Sequence, residues 1–308
     1  MSTATSSGEA VTVTPTKTDH LARRLRARGI DRSLLLAAPA VLFVLLLFVY
    51  PFLYGLMLSF QPQHGGAFAS YRQFFSDSYL RGTIWNTLRL ALPVAIVNVV
   101  GSMAAAYPLR TARRGRQVLS TAFIVPITFG TVLVSDGMLT YLGPDGWLNR
   151  VLRDLGLTHS PLVLIHNYWG VFISLLITGF PFAFLLSLSH LSGIDPAFER
   201  AAASLGAGAW QRFRRVTLPL WAPGIAITFC LVFMLGFAVF PSAQLVGNPS
   251  SSTHVLSIAA YFEAYERYDY SMASAITIVT ALVELLIVAV VLTWRGRVYR
   301  GASTVGKG

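Results

Sequence analysis

The chain has 308 residues, of which 54% are apolar and only 12% charged, against roughly 25% charged in an ordinary soluble domain. Stretches of about twenty residues without a charge exclude a water-exposed fold, because soluble elements must present a polar face. The formal charge of +11 falls in short basic clusters beside the apolar runs, which excludes an extended phosphate-tracking face and, with it, nucleic acid as a partner.

In chain order, residues 1–33 are Ser/Thr-rich and then basic, and read as a disordered tail ahead of an uncleaved first helix. Six apolar stretches follow: Leu34 to Phe60, Leu88 to Leu109, Val118 to Leu142, Leu164 to Leu188, Gly224 to Phe240, and Met272 to Trp294. Crossing the hydrocarbon takes about 20 helical residues, and no water is available there to satisfy a backbone left unpaired, so the spans are helices. The predicted fold class is all-α: a polytopic membrane protein with six transmembrane helices over residues 34–294, followed by a tail at 295–308. The fifth stretch is the shortest and has room to extend toward Leu245. Pro51, Pro93, Pro126 and Pro181 interrupt spans, each removing a backbone donor, as hinges or as the prolines that membrane helices commonly tolerate. Trp85, Trp169, Trp221 and Trp294 lie near span ends and read as interfacial aromatics.

Basic residues orient the bundle. Of the 24 Lys and Arg, eighteen lie in the N-terminal tail, the second-to-third and fourth-to-fifth connections, and the C-terminal tail, and six lie on the other side. The excess of positive charge faces the cytoplasm, which places both termini there.

Between the fourth and fifth spans, residues 194–221 are too polar to be a span and too patterned to be slack. Asp195 and Pro196 form an N-cap and a first-turn proline, good helix formers follow to Leu205, and Gly206 stands where a left-handed residue ends a helix. A second helix is expected from Ala209, with Trp210 and Phe213 on one face, stopping at Leu218 and Pro219. Geometry alone leaves two readings open: a basic interfacial helix on anionic headgroups, or a helix-turn-helix knob that another protein grips.

The residues then carry a resemblance. Ala201 and Ala202, Gly206, Val216, and Leu218 with Pro219 fall at the spacing E-A-A, three residues, Gly, nine residues, I-x-L-P. This resembles the EAA loop of binding-protein-dependent ABC transporter permeases, the type I importer class. The match departs at Arg200, which stands where the glutamate belongs, with Glu199 one place earlier. Phe198 through Ala207 is also similar to the looser form L-E-x-A-A-x-x-L-G-A of the polyamine and iron-type branches. Asn86-Thr87-Leu88, Pro126, Gly143 to Asn149, Pro181-Phe182 and Leu245 to Pro249 extend the resemblance over roughly Leu35 to Arg297.

The resemblance implies a six-span permease of the prokaryotic inner membrane. Its implied partners are two ABC ATPase subunits, a second permease subunit identical to this one or distinct, and an extracytoplasmic solute-binding protein. The loop would be a coupling helix docking on the ATPase through Glu199, Ala201, Ala202, Gly206, Ala207, Trp210, Phe213, Leu218 and Pro219, with Trp210 or Phe213 as a buried aromatic anchor. The solute implied is a polyamine, with iron, phosphonate and sugar as alternatives, and no cofactor is expected.

Two acids inside spans are candidate pathway residues. Glu284 lies near the centre of the sixth, where an ionised side chain costs about 2.5–3.5 kcal/mol and should face protein or water. Thr280 and Thr277, one and two turns back, form either a thin polar stripe or hydroxyls bonded to their own helix. Asp136 falls near the outer end of the third span. The outer segment from Tyr261 to Tyr270 carries Glu263, Glu266 and Asp269, as solvated loop charge or as a surface for a cationic solute or binding protein.

Cys230 is the one cysteine, so neither an intramolecular disulfide nor a metal cluster is expected. Gly301 to Gly308 imitates a phosphate loop, but Gly308 has no hydroxyl for magnesium. Hydrolysis of ATP is therefore expected from a separate subunit. An ATP-independent secondary carrier is the alternative in another class, although such carriers are usually built from repeated bundles. An intramembrane enzyme lacks G-x-S-x-G and H-E-x-x-H signatures.

Overall fold

The computed structural model describes residues 39–110 and 113–303. The expected N-terminal tail and the first residues of the first span, through 38, lie outside them, as do residues 304–308. The chain divides into two units, Met1–Met57 and Leu58–Gly308. The first described helix, α1, is Pro39–Ser59. It contains a π-turn at Leu45–Val49, in which the Tyr50 N–H bonds the Leu45 carbonyl, immediately before Pro51.

From Leu58 onward the elements are α2 (Ala69–Ser76), α3 (Ser78–Leu109), α4 (Arg113–Leu142), α5 (Trp147–Asp154), α6 (Tyr168–Ser192) and α7 (Pro196–Ser204). These are followed by α8 (Ala209–Phe237), then α9 (Pro241–Leu245), α10 (Leu256–Tyr261) with a π-turn at Phe262–Glu266, and α11 (Tyr270–Ser303). Among the described residues six helices, α1, α3, α4, α6, α8 and α11, are long and apolar enough to span a bilayer. The fold is all-α, as the composition requires.

Helices α3, α6 and α8 pack on one another at the centre, α4 lies against α6, and α11 against α8 and α10. Lipid tails are as apolar as leucine, so close packing of small residues is what holds spans together. A Cβ on Gly224 of α8 would sit 2.5 Å from the His190 Cβ of α6. Gly179 of α6 likewise admits the buried Asn98 of α3, whose Nδ2 donates to the Leu175 carbonyl at 3.3 Å. One apolar cluster, around Phe184, Leu188 and Trp221, fills the end of the bundle nearest α7. Another, around Leu90, Val171, Val246 and Ile258, fills the other end.

Several sequence expectations are corrected. The second span begins at Ser78, because the Asp77 carboxylate caps the Tyr79 N–H at 2.8 Å, and Asn86 and Thr87 are interior to it. The fifth does not start at Gly224 or extend toward Leu245; it runs without a break from Ala209 to Phe237, and 241–245 is a separate short helix. Leu218 and Pro219 do not stop the preceding helix, since the Leu218 N–H reaches the Phe213 carbonyl through a π-turn and the helix passes the missing proline donor. The break in α4 is at Gly130 (φ 68°, ψ 173°), one turn after Pro126, a conformation essentially restricted to glycine. Trp221 is not interfacial: it is 1% exposed, and its indole donates to the Ser187 carbonyl at 3.2 Å. Helix α11 continues to Ser303, into the expected tail.

Candidate functional site

Helix α7 is specified at both ends by its own residues. The Asp195 carboxylate accepts from the Ala197 N–H at 2.8 Å, and Pro196 occupies the first turn, where its missing donor costs nothing. At the other end Gly206 has φ +82°. The Ala207 N–H reaches back to the Ala202 carbonyl at 3.1 Å and the Gly206 N–H to Ala203 at 3.0 Å, the paired bonds of a Schellman ending. No neighbour lies within 4 Å of a Cβ built at Gly206, so glycine is required there by backbone conformation alone.

Glu199 points into the molecule. Its carboxylate takes both guanidinium nitrogens of Arg110, Nη1 at 2.5 Å and Nη2 at 2.6 Å, and accepts from the hydroxyl of the fully buried Thr217. Arg110 follows the last residue of α3, and Thr217 closes the π-turn of α8. The hydrogen bonds from Arg110 hold the Glu199 carboxyl below the usual carboxylate range; the Thr217 bond and the nearby Arg212 charge act in the same direction, against burial. Arg110 also lies over the Tyr107 ring, 4.3 Å from its centroid. Tyr107 meets Phe213 edge to face at 4.9 Å, and Phe213 stacks on Trp210 at 5.6 Å. α7 is thus bonded at its base to α3 and α8, two of the three central helices.

The remaining loop residues separate into two sets. Ala202, Ala207, Phe213 and Leu218 are half-buried against the bundle, whereas Ala201, Trp210 and Pro219 are exposed. Trp210 is 70% exposed, and Phe198 and Leu205 are exposed as well. The aromatic pair is therefore divided in setting: Phe213 is packed inward on Tyr107, and Trp210 is exposed at the edge of an apolar cleft that it lines with Val100, Met103 and Ala104.

Within the span region, a cleft of about 750 Å³ is lined by residues of α4, α6, α8, α9 and α11, including Thr131, Phe182, Met234, Ser242 and Glu284. Glu284 is the single ionisable side chain on its wall. Asp136 is exposed on α4 and is not part of that wall. Thr277 and Thr280 donate to the carbonyls of Ala273 and Ile276 at 2.9 and 2.8 Å, so their hydroxyls bond their own helix. Beside the cleft Ser135, Ser174 and Ser242 are fully buried and mutually hydrogen-bonded, with Ser174 to Ser242 at 2.9 Å and Ser135 to Ser242 at 3.2 Å. They tie α4, α6 and α9 together.

The far end of α3 carries a second polar cluster. The His254 ring is buried, stacks on Tyr79 at 4.4 Å, and has Nδ1 2.8 Å from the Pro249 carbonyl. Burial pushes its pKa down. Glu263 is also buried and pairs with Arg267 at 2.8 Å, but that arginine is 68% exposed. Burial raises the Glu263 carboxyl, and the charges of Asp269 and Asp77 add to the effect of burial, against Arg267. At 1.5 Å per residue about 45 Å of α3 separates Tyr79 from Arg110.

Arg110, Thr217 and the serine cluster were missed as site residues. Arg110 entered the sequence reading only as one of many basic residues, since nothing local links it to an acid 89 positions away. Small hydroxyls inside apolar spans do mark helix contacts, and that signal was available for Ser135 and Ser174.

Over residues 32–303 the sequence matches the binding-protein-dependent transport system inner membrane component family, and the chain belongs to that family: it is a membrane permease of an ABC importer, a family of transport components and not of enzymes. It is 28% identical over 258 residues to the spermidine/putrescine transport system permease protein PotB of Haemophilus influenzae, covering 80% of this chain and 90% of that protein. To the probable sulfate transport system permease protein cysT of Prototheca wickerhamii it is 27% identical over 208 residues, covering 67% and 80%. The fold is similar to a bacterial ABC transporter that imports the acidic polysaccharide alginate, with TM-score 0.74 at 23% identity, covering 90% of this chain and 99% of that one. It is also similar to the alginate transporter in complex with its pentasaccharide-bound periplasmic protein, with TM-score 0.74 at 24% identity, covering 88% and 96%.

Proposed function

We propose that residues 34–294 form the translocation pathway for a small solute delivered by an extracytoplasmic binding protein, and that α7 is the element on which separate ATPase subunits act. A second permease subunit, identical or distinct, completes the pathway, and both termini lie on the ATPase side. The observation that carries this reading is the joint of Arg110, Glu199 and Thr217. Nucleotide binding shifts a conformational equilibrium only through contacts that differ between its states. A helix bonded at its base to two central spans transmits such a difference, and a slack loop does not. Ala201 and the Gly206 turn keep the outer surface low, and Trp210 is an exposed aromatic of the kind that anchors interfaces.

For the solute, the same reading favours a polyamine. Glu284 puts one carboxylate on an otherwise uncharged wall, which attracts an organic cation and repels an anion such as sulfate. The long match to PotB agrees with it.

The test is ATP-dependent uptake of labelled spermidine by proteoliposomes holding the assembled importer. Uptake should require ATP and fall at least tenfold in Glu284→Gln. Uptake that survives ATP depletion would overturn the importer mechanism; competition by sulfate but not by putrescine would overturn the polyamine assignment. In sealed vesicles a Ser204→Cys variant should be labelled only from the ATPase side.

A further inference from the structure

Both acids of α7 and its cap are used within the chain. Asp195 caps the helix, and Glu199 is held by Arg110 and Thr217 with Arg212 adding positive potential. Arg200, the next residue, is exposed, and among the described residues it has no ion-pair partner; the same holds for Arg214 and Arg215. On a helical wheel Glu199 and Ala202 face inward, so Arg200, Ala201 and Ser204 lie on the outward side, with Arg200 at one edge and Phe198 and Leu205 together at the other. The outward face of α7 is therefore small-residued, apolar at its edge, and cationic.

We propose that the surface receiving α7 is acidic on one side: the ATPase presents a carboxylate to Arg200 at one edge of α7 and an apolar recess to Phe198 and Leu205 at the other. This rests on the reading of α7 as the ATPase-docking element and specifies the chemistry of that contact. Glu199 has no part in it except as a positioning residue, since its oxygens are already filled by Arg110 and Thr217. Anionic headgroups are the competing occupant for basic residues near a bilayer. They suit Arg214 and Arg215, which lie on the membrane helix α8 itself. Arg200 lies on the separate helix α7, among small residues that permit close approach of another backbone.

The experiment measures re-binding of purified ATPase subunits to the ATPase-stripped permease in nanodiscs, once in phosphatidylcholine alone and once with phosphatidylglycerol added. Arg200→Ala should weaken the Kd about tenfold, Arg200→Glu about a hundredfold, and Arg200→Lys less than about threefold. The order should hold in both lipids, and Arg200→Ala should flatten the dependence of Kd on NaCl. A separate Ala203→Cys variant reports contact by cross-linking to the ATPase, independently of charge. Equal Kd values across the series with the cross-link present would overturn the acidic-partner proposal and leave docking intact. Absence of the cross-link would overturn docking itself. A charge effect confined to the phosphatidylglycerol discs would assign Arg200 to the headgroups and reject the proposal.

Discussion

Near opposite ends of α3 two glutamates are each paired with an arginine, the half-buried Glu199 with Arg110 and the buried Glu263 with Arg267 of its own turn, and the two carboxyls are driven in opposite directions. At the α7 end, Glu199 meets a partly buried Arg110 through two short hydrogen bonds and gains a third from Thr217. At the other end, Glu263 meets an arginine that is 68% exposed through one contact, with Asp269 and Asp77 nearby. An ion pair thus stabilises a buried charge only when the donors satisfy most of the carboxylate and are themselves withheld from water. The first arrangement is a rigid joint, and the second is a weak tether.

That contrast can be broken most directly at the arginines. Arg110→Met leaves the Glu199 carboxylate with the Thr217 hydroxyl as its one remaining donor and should cost about 2–3 kcal/mol, visible as a lower melting temperature of the purified protein and loss of transport. Arg267→Ala should cost under about 1 kcal/mol, the usual worth of an exposed pair. Equal losses would refute the distinction. Next in size, Gly206→Ala forces a left-handed alanine and should cost about 1–2 kcal/mol, read as faster hydrogen exchange confined to α7 and its turn. Thr217→Val removes one donor from Glu199 and should cost about 1 kcal/mol.

Acidity sharpens the comparison further, with smaller effects. The Glu199 pKa is depressed on folding, so its contribution is present above the unfolded value of about 4.3 and is lost as pH falls through the folded one. Hydrogen exchange in α7 should rise only in that acid range, and Glu199→Gln should abolish the rise. The Glu263 pKa is raised, so its contribution is present below about 4.3 and is lost as pH rises through the folded value. Glu263→Gln should therefore leave stability unchanged or increase it slightly at pH 8, where Glu199→Gln decreases it.

The α7 helix was legible in sequence because its signals are local: a cap at Asp195, a proline at the first turn, and a glycine at the end. The continuity of α8 was not, because proline normally ends a helix and the π-turn that carries the chain past Pro219 has no strong sequence signature. Trp221 misled for a related reason, since a tryptophan near a span end resembles an interfacial residue until its buried bond to the Ser187 carbonyl is known. Gly130 was overlooked beside Pro126, although it is the residue that takes the broken conformation.

By itself the sequence determined that this protein lies in a bilayer as six helices, because apolar length and backbone satisfaction leave no other solution. It also set α7 apart as a folded element, since helix ends are written in adjacent residues. Only the tertiary structure decided which partners Glu199 meets, left Trp210 exposed while Phe213 packs on Tyr107, and placed Glu284 but not Asp136 on the cleft. Those outcomes depend on which distant side chains meet, and residues as far apart as Arg110 and Glu199 become neighbours only after α3, α6 and α8 have packed.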